Sequence, residues 1–454
     1  MQNIRKLVPY LIAALLLVCP MVLFAGGQKE AVQTPSEGPT SWEDTIRERY
    51  SGVTLNMSVA KHPASEAIRE LAREFTGMTG VKFKWDVAPE TSGGLRNKQL
   101  MAISMGGGTY DIMVVDTFWI TEYVQKDALK ALDPLINDPS ITVPDYDFED
   151  FNAGYRSSGN RGGTQYALPL AGATRVVGYR KDLFEQYGKE EPKTLDELLE
   201  LARFFKNEVP GINGMTMRAR QGIQFASAWL QLLYQFSDGF VDQQTNEVLI
   251  DTAPVVRSLE YFIDILETGP QGIESFGHEE SATAFATGQV ALWYDGTPIV
   301  MRWIENPESS EVVGKVGYMA PPPGPEGAYA PLAGWLIGIS NQSKNAEAAW
   351  AFLSWATSKE NAVRYYELSG AVNRDSAFNN PEITEGMEDF YSAYQQSLTQ
   401  AANLGKKDLT WIPPVPTEVL TTAGDFGNKA FLGEMTAQEA CEQAAKQIES
   451  ILEQ

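Results

Sequence analysis

The chain has 454 residues, 43% hydrophobic and 21% charged, with a formal charge of −23 and a pI near 4.6. That length and balance suit two or three domains' worth of core. So acidic a surface repels phosphate backbones and anionic membranes, which excludes nucleic-acid binding as the main task.

The first 25 residues read as a secretory signal peptide. Arg5 and Lys6 give the positive start, Leu15–Val18 sits inside an apolar stretch, and Ala25 closes it before Gly26. Pro20 interrupts the stretch, which disfavours a permanent anchor. Cys19 is a candidate lipid-attachment site, but Val18 stands where a small residue is expected. If Cys19 is cleaved off, Cys441 is alone and no internal disulfide can form. Residues 26–50, opened by GGQKEAVQTPSEGPTS, read as a flexible leader, with structure beginning near Ser51.

Strand and helix then alternate. VTLNMSVA (Val53–Ala60) predicts a strand, KHPAS a turn, and EAIRELAREF a helix with Ala67, Ile68, Leu71 and Phe75 on one face. VKFKWDV alternates apolar and polar residues as a half-buried strand. LRNKQLMAISM predicts a helix stopped at Gly106–Gly108, DIMVVD a buried strand, and ITEYVQKDAL a further helix. This order implies mostly parallel sheets covered on both faces, an α/β fold. TRVVGYRKDLFEQYG reads as a strand running into a helix. PKTLDELLELARFFKNE is a helix with Thr194 as N-cap and Glu197 three residues on. QFASAWLQLLYQFSDG and PVVRSLEYFIDILETG predict two more. GWLIGIS is a strand, NAEAAWAFLSWATS and KENAVRYYELSG are helices, and TAQEACEQAAKQIESILEQ closes the chain as an amphipathic helix.

Several chemistries find no support. His62 and His278 are the only histidines, too few for a zinc or iron cluster, and no metal or cofactor is expected. No Gly-Lys pair is followed by Ser or Thr, so there is no phosphate-binding Walker loop, and Gly106–Gly108 does not continue as a dinucleotide fingerprint. No GxSxG elbow is present. A glycosidase carboxylate pair cannot be excluded by counting, because 59 acidic residues make any pair weak evidence.

In open α/β sheets ligands bind beyond the carboxyl ends of strands. Four such places stand out. DIMVVD ends at Asp116 with Trp119 close behind; the plainer reading is a helix cap and its packing partner. Thr174 and Arg175 precede the apolar VVGY, where an Arg is ordinarily solvated. LWYDGTP ends an apolar run with Trp293, Tyr294 and Asp295, and a Trp there is more often core. Gly334 permits close backbone approach beside Trp335. Together they share one logic: aromatic rings cover the C–H faces of a sugar or polyol while Asp and Arg hydrogen-bond its hydroxyls. Strand alternation puts Trp293 and Asp295 on one side and Tyr294 on the other, so that Tyr294 is left to packing if the first two face a ligand.

With these stretches in order, the chain resembles the extracellular solute-binding proteins of ATP-binding-cassette (ABC) sugar importers, family 1, the group that contains maltose-binding protein. The resemblance runs from about Val53 to the C-terminus. It is carried by FTGMTGVKF, GGGTYDIMVVDTFWITEYVQKDALKALDPLI, GTQYALPLAGATRVVGYRKDLFEQYGKEEPKTLDEL, ATAFATGQVALWYDGTP and SKNAEAAWAFLSWATSKENA. RVVGYRKDLF and FLSWATSKENA look most like members that bind polyols or small sugars.

The resemblance implies a periplasmic-binding-protein-like fold: two α/β lobes joined by a hinge, with ligand in the interlobe cleft. It implies an N-terminal lobe of residues 51–168 plus 316–375 and a C-terminal lobe of 169–315 plus 376–454. Crossings fall near Tyr166–Pro169, Gly314–Pro321 and Gly370–Asp375. It carries pocket roles onto Asp116, Trp119, Arg175, Trp293, Asp295, Gly334 and Trp335, and more weakly onto His62, Asn373 and Arg374. Trp411 in LTWIPPVP is a further candidate. The implied protein is no enzyme: a monomeric receptor outside the cytoplasmic membrane, membrane-associated if lipidated, delivering a sugar or polyol to permease subunits whose ATPase is a separate chain. The rival readings are a secreted glycosidase using Asp116 and Asp295, and a receptor for a non-carbohydrate solute such as a metal chelate, peptide or polyamine.

Overall fold

The computed structural model describes residues 41–88, 94–242, 245–369, 371–402 and 416–453. The expected signal peptide with Cys19, most of the leader and Trp411 lie outside them. The leader expectation fails at its end, where Trp42–Tyr50 is a helix. Ser41 caps it by accepting from the Asp44 N–H at 3.1 Å. Its Trp42 and Ile46, four residues apart, share a face turned to the core, and Trp42 meets Phe75 at 6.3 Å.

Eleven strands occur among the described residues: β1 (Thr54–Ala60), β2 (Lys82–Ala88), β3 (Ile112–Asp116), β4 (Asn160–Arg161), β5 (Thr164–Gln165), β6 (Ala167–Ala173), β7 (Arg175–Arg180), β8 (Asn213–Thr216), β9 (Val290–Gly296), β10 (Val316–Met319) and β11 (Ala333–Ile339). β4 and β5 form a small ribbon. The rest build two sheets, ordered β2-β1-β3-β11-β6 and β10-β7-β9-β8, each with its own hydrophobic core. These are the two α/β lobes.

The sheets are mixed rather than mostly parallel. β1 pairs in parallel with β2 and β3, and β8 with β9. β11 runs antiparallel to β3 and β6, and β7 antiparallel to β9 and β10. The antiparallel members are the strands that flank the chain's passages between lobes, so no crossover helix sets their direction. The passages also move from their expected places. β6 stays in the first sheet through Ala173, so a boundary at 168/169 falls inside it, and Arg175 opens the second sheet. β10 belongs to the second sheet, so the return comes between Met319 and Ala333, after the expected 315/316.

Local chemistry explains the elements nearest the cleft. The helix Pro63–Thr79 starts three residues earlier than expected, because Pro63 suits a first helical turn and the His62 ring caps it, its Nδ1 accepting from the Ala64 N–H at 3.1 Å. Gly80, at φ +78°, ends it. At the first passage Thr297 donates its backbone N–H to the Thr174 carbonyl, and its Oγ1 accepts from the Thr174 N–H. Gly172 lies flat on Tyr155, where a Cβ would stand 2.5 Å from the ring. Asn373 clamps the same strand: its Oδ1 accepts from the Gly172 N–H and its Nδ2 donates to the Leu170 carbonyl, both at 2.9 Å. No helix among the described residues is long and apolar enough to cross a membrane.

Candidate functional site

Strand ends of both sheets open onto one cavity of about 790 Å³, within the usual range for small-molecule sites. Six of the nine expected residues line it: His62, Asp116, Trp119, Arg175, Gly334 and Trp335. From the first lobe, His62 follows β1, while Asp116 ends β3 and caps the turn after it by accepting from the Phe118 N–H at 2.9 Å. Trp119 is half-buried and meets Trp335 edge to face at 5.8 Å, and Trp335 meets the His62 ring at 6.1 Å. Gly334 is required where it stands. Its φ is +130°, and a Cβ would lie 2.0 Å from the Ala171 carbonyl oxygen.

Three expectations fail. Trp293 is fully buried, stacks on Phe285 at 6.3 Å and does not reach the cavity. All seven residues of β9 are buried, so both faces of that strand are covered and alternation no longer separates cleft from core. Asp295 is also fully buried and absent from the lining; both its oxygens take the Arg218 guanidinium, Nε at 2.6 Å and Nη2 at 2.5 Å. Arg374 is a structural clamp. It donates to the carbonyls of Tyr146, Asp147 and Thr357 and to Asp150, and it stacks on Phe151 at 4.1 Å. Asn373 likewise holds β6 rather than lining the cavity. Tyr294 is packing, as expected, with its hydroxyl donating to the Gln231 carbonyl.

The second lobe brings residues the sequence did not single out for binding. Arg218 follows β8, a four-residue strand, Asn-Gly-Met-Thr, that carries too little pattern to detect. His278 opens a helix, and its ring meets Trp303 at 5.9 Å. Arg302 lies over Trp303 at 4.3 Å. Tyr366 and Glu367 are added from the first lobe, on the helix Ala362–Ser369, which packs on Pro63–Thr79. The only signal for Trp303 and Arg302 was their place soon after a strand-ending Gly-Thr-Pro.

Burial drives the charges here. It pushes the Asp295 carboxyl up, but the Arg218 pairing, helped by Arg175, overrides it and holds the group below the usual carboxylate range. Burial pushes Arg175 below its ordinary value. His62 is lowered to about 4, first by burial and then by Arg302 and His278. His278 is lowered by burial and by Arg218. Both rings are thus neutral at pH 7. Because His62 has a folded pKa below its unfolded value near 6.5, its contribution to stability is full above about pH 6.5 and is lost as pH falls toward 4. Thermal melts across pH 4–8 are expected to show that loss, and His62→Gln to flatten it; an unchanged slope in the variant would contradict the assignment.

The profile of the bacterial extracellular solute-binding proteins matches residues 60–363, well over half of the chain. The chain belongs to that family. An erythritol/L-threitol-binding protein of Mycolicibacterium smegmatis is 26% identical to this solute-binding protein over 365 residues, covering 75% of this chain and 74% of its own. A mannitol-binding protein of Pseudomonas aeruginosa is 26% identical over 298 residues, covering 64% and 66%. Among solved structures, an ABC transporter solute-binding protein of Agrobacterium radiobacter in complex with ribitol superposes with a TM-score of 0.78 at 24% identity. The match covers 88% of this chain and 99% of that one. The fold of this solute-binding protein is therefore the periplasmic-binding-protein type.

Proposed function

We propose that this protein is the solute receptor of an ABC importer, capturing a sugar or sugar alcohol in the interlobe cleft and presenting it to membrane permease subunits. One observation carries the reading: a single cavity lined from both lobes by tryptophans and guanidinium groups. A ligand that touches Trp119 of the first lobe and Arg302 of the second bridges the cleft, so its binding favours closure. The names of the relatives support the same ligand class. We place the receptor outside the cytoplasmic membrane, as a monomer, with lobes of residues 41–173 plus 333–369 and 175–319 plus 375–453 that follow the sheets and the helices packed on them. ATP hydrolysis belongs to a separate chain.

The glycosidase alternative loses its pair here. Asp295 is ionised, fully buried and held by both oxygens, so it can neither donate a proton nor reach a substrate. A thermal-shift panel of sugars and alditols tests the reading. A specific ligand at a hundred times its Kd stabilises by about 2.7 kcal/mol, and it should be recovered chemically unchanged. A panel without any shift would sink the ligand class, and turnover would sink the receptor.

A further inference from the structure

Resting on that reading, we infer that the cleft is built for a polyhydroxylated ligand with a carboxylate at one end, a sugar acid, and that Arg175 and Arg218 receive the carboxylate. Arg175 opens β7 and is 6% exposed, facing the cavity. Its Nε is buried without a hydrogen-bond partner. Opposite it in the ladder stands Gly296, where a Cβ would come within 3.0 Å of the Arg175 Nη1, so the glycine makes room for the guanidinium. The carboxylate that acts on Arg175 most strongly is Asp295, and both oxygens of Asp295 are engaged by Arg218. Two guanidinium groups therefore share one carboxylate, and one positive charge is left over. An arginine stays protonated in such a place, and a buried cation without a counter-charge is costly. A ligand carboxylate supplies that charge together with acceptor oxygens suited to the guanidinium fork.

The rest of the cleft is polarised in the same sense. Arg175, Arg218 and Arg302 all come from the second lobe, whereas Asp116 and Glu367 come from the first. A sugar acid matches this asymmetry: its carboxylate meets the arginines, and its hydroxyls donate to the carboxylates across the cleft. An alditol has two equivalent kinds of end and leaves the extra positive charge unmet. Besides burial, the fields of Arg302 and Arg218 keep His62 and His278 neutral, so neither histidine adds a competing cation at pH 7.

Matched pairs that differ only at one terminal carbon test the inference: erythritol and erythronate, ribitol and ribonate, D-mannitol and D-mannonate, D-glucitol and D-gluconate. Each is titrated calorimetrically into the full chain at pH 7. In the best-binding pair the acid is expected to bind at least about tenfold more tightly, as a charge-assisted pair replaces a neutral one. Arg175→Gln should bring the acid-to-alditol ratio close to one, and Arg175→Lys, which keeps the charge, should retain part of the preference. An alditol that equals or beats its own acid overturns the inference and leaves the polyol receptor standing. If no acid and no alditol binds, the inference falls, while the receptor reading stands or falls on the sugars of the thermal-shift panel.

Discussion

Asp295→Asn is expected to cost this protein about 3–5 kcal/mol of stability, the usual penalty for removing one partner of a buried ion pair. The carboxylate is fully buried, and the Arg218 side chain that grips it is only 16% exposed. Asn keeps the shape but removes the charge. Arg218 then loses its counter-ion, and Arg175, which leans on the same carboxylate, is left more exposed to like-charge repulsion. The measurement is urea unfolding. The pH dependence adds a second signature. The folded pKa of Asp295 lies below its ordinary value, so its contribution is present above about pH 4 and disappears as pH falls through the folded pKa. The gap between the two proteins should therefore be full at neutral pH and close in acid. A variant as stable as the parent that had lost only ligand affinity would mean that Asp295 touches the ligand directly, against the geometry.

How far the sequence could be read follows from what its patterns report. Helical periodicity and Gly or Ser/Thr caps are local, and the helices they mark are present, as with Thr194 accepting from the Glu197 N–H at 3.2 Å. The strand-end rule led to the cavity wall at Asp116, where β3 ends; Gly334–Trp335 line the same wall from the amino end of β11, which runs antiparallel to β3. The rule failed in β9. Alternation orients side chains relative to one another but does not say which face is cleft and which is helix-covered core, and here both are covered. Arg218 was invisible for a different reason. Its role comes from a carboxylate 77 residues further along the chain, and no local pattern encodes that meeting. Arg374 was misread in the opposite direction. A basic residue at a lobe crossing looks like a ligand contact, yet it is 2% exposed and ties together the carbonyls of Tyr146, Asp147 and Thr357.

The tryptophans separate binding from packing most cleanly. Trp119→Ala is expected to weaken ligand binding about 30-fold, the scale of an aromatic hot spot worth about 2 kcal/mol, with little change in the melting temperature. Its ring is half-buried on the cavity wall, braced edge-on by Trp335 and stacked over Tyr123 at 6.5 Å, so truncation removes a platform rather than a piece of core. Trp293→Phe should do the reverse. It removes volume beside Phe285 in a fully buried strand, which destabilises by about 1–3 kcal/mol, while affinity stays as it was. Part of that cost is returned, because the Trp293 Nε1 is a buried donor without a partner and the phenyl ring carries no such group. Calorimetric titration and thermal melting on both variants give four numbers that must fall in this crossed pattern. If Trp293→Phe lost affinity while Trp119→Ala kept it, β9 would face the cleft after all, and the alternation read from LWYDGTP would be the better guide than the packing around it.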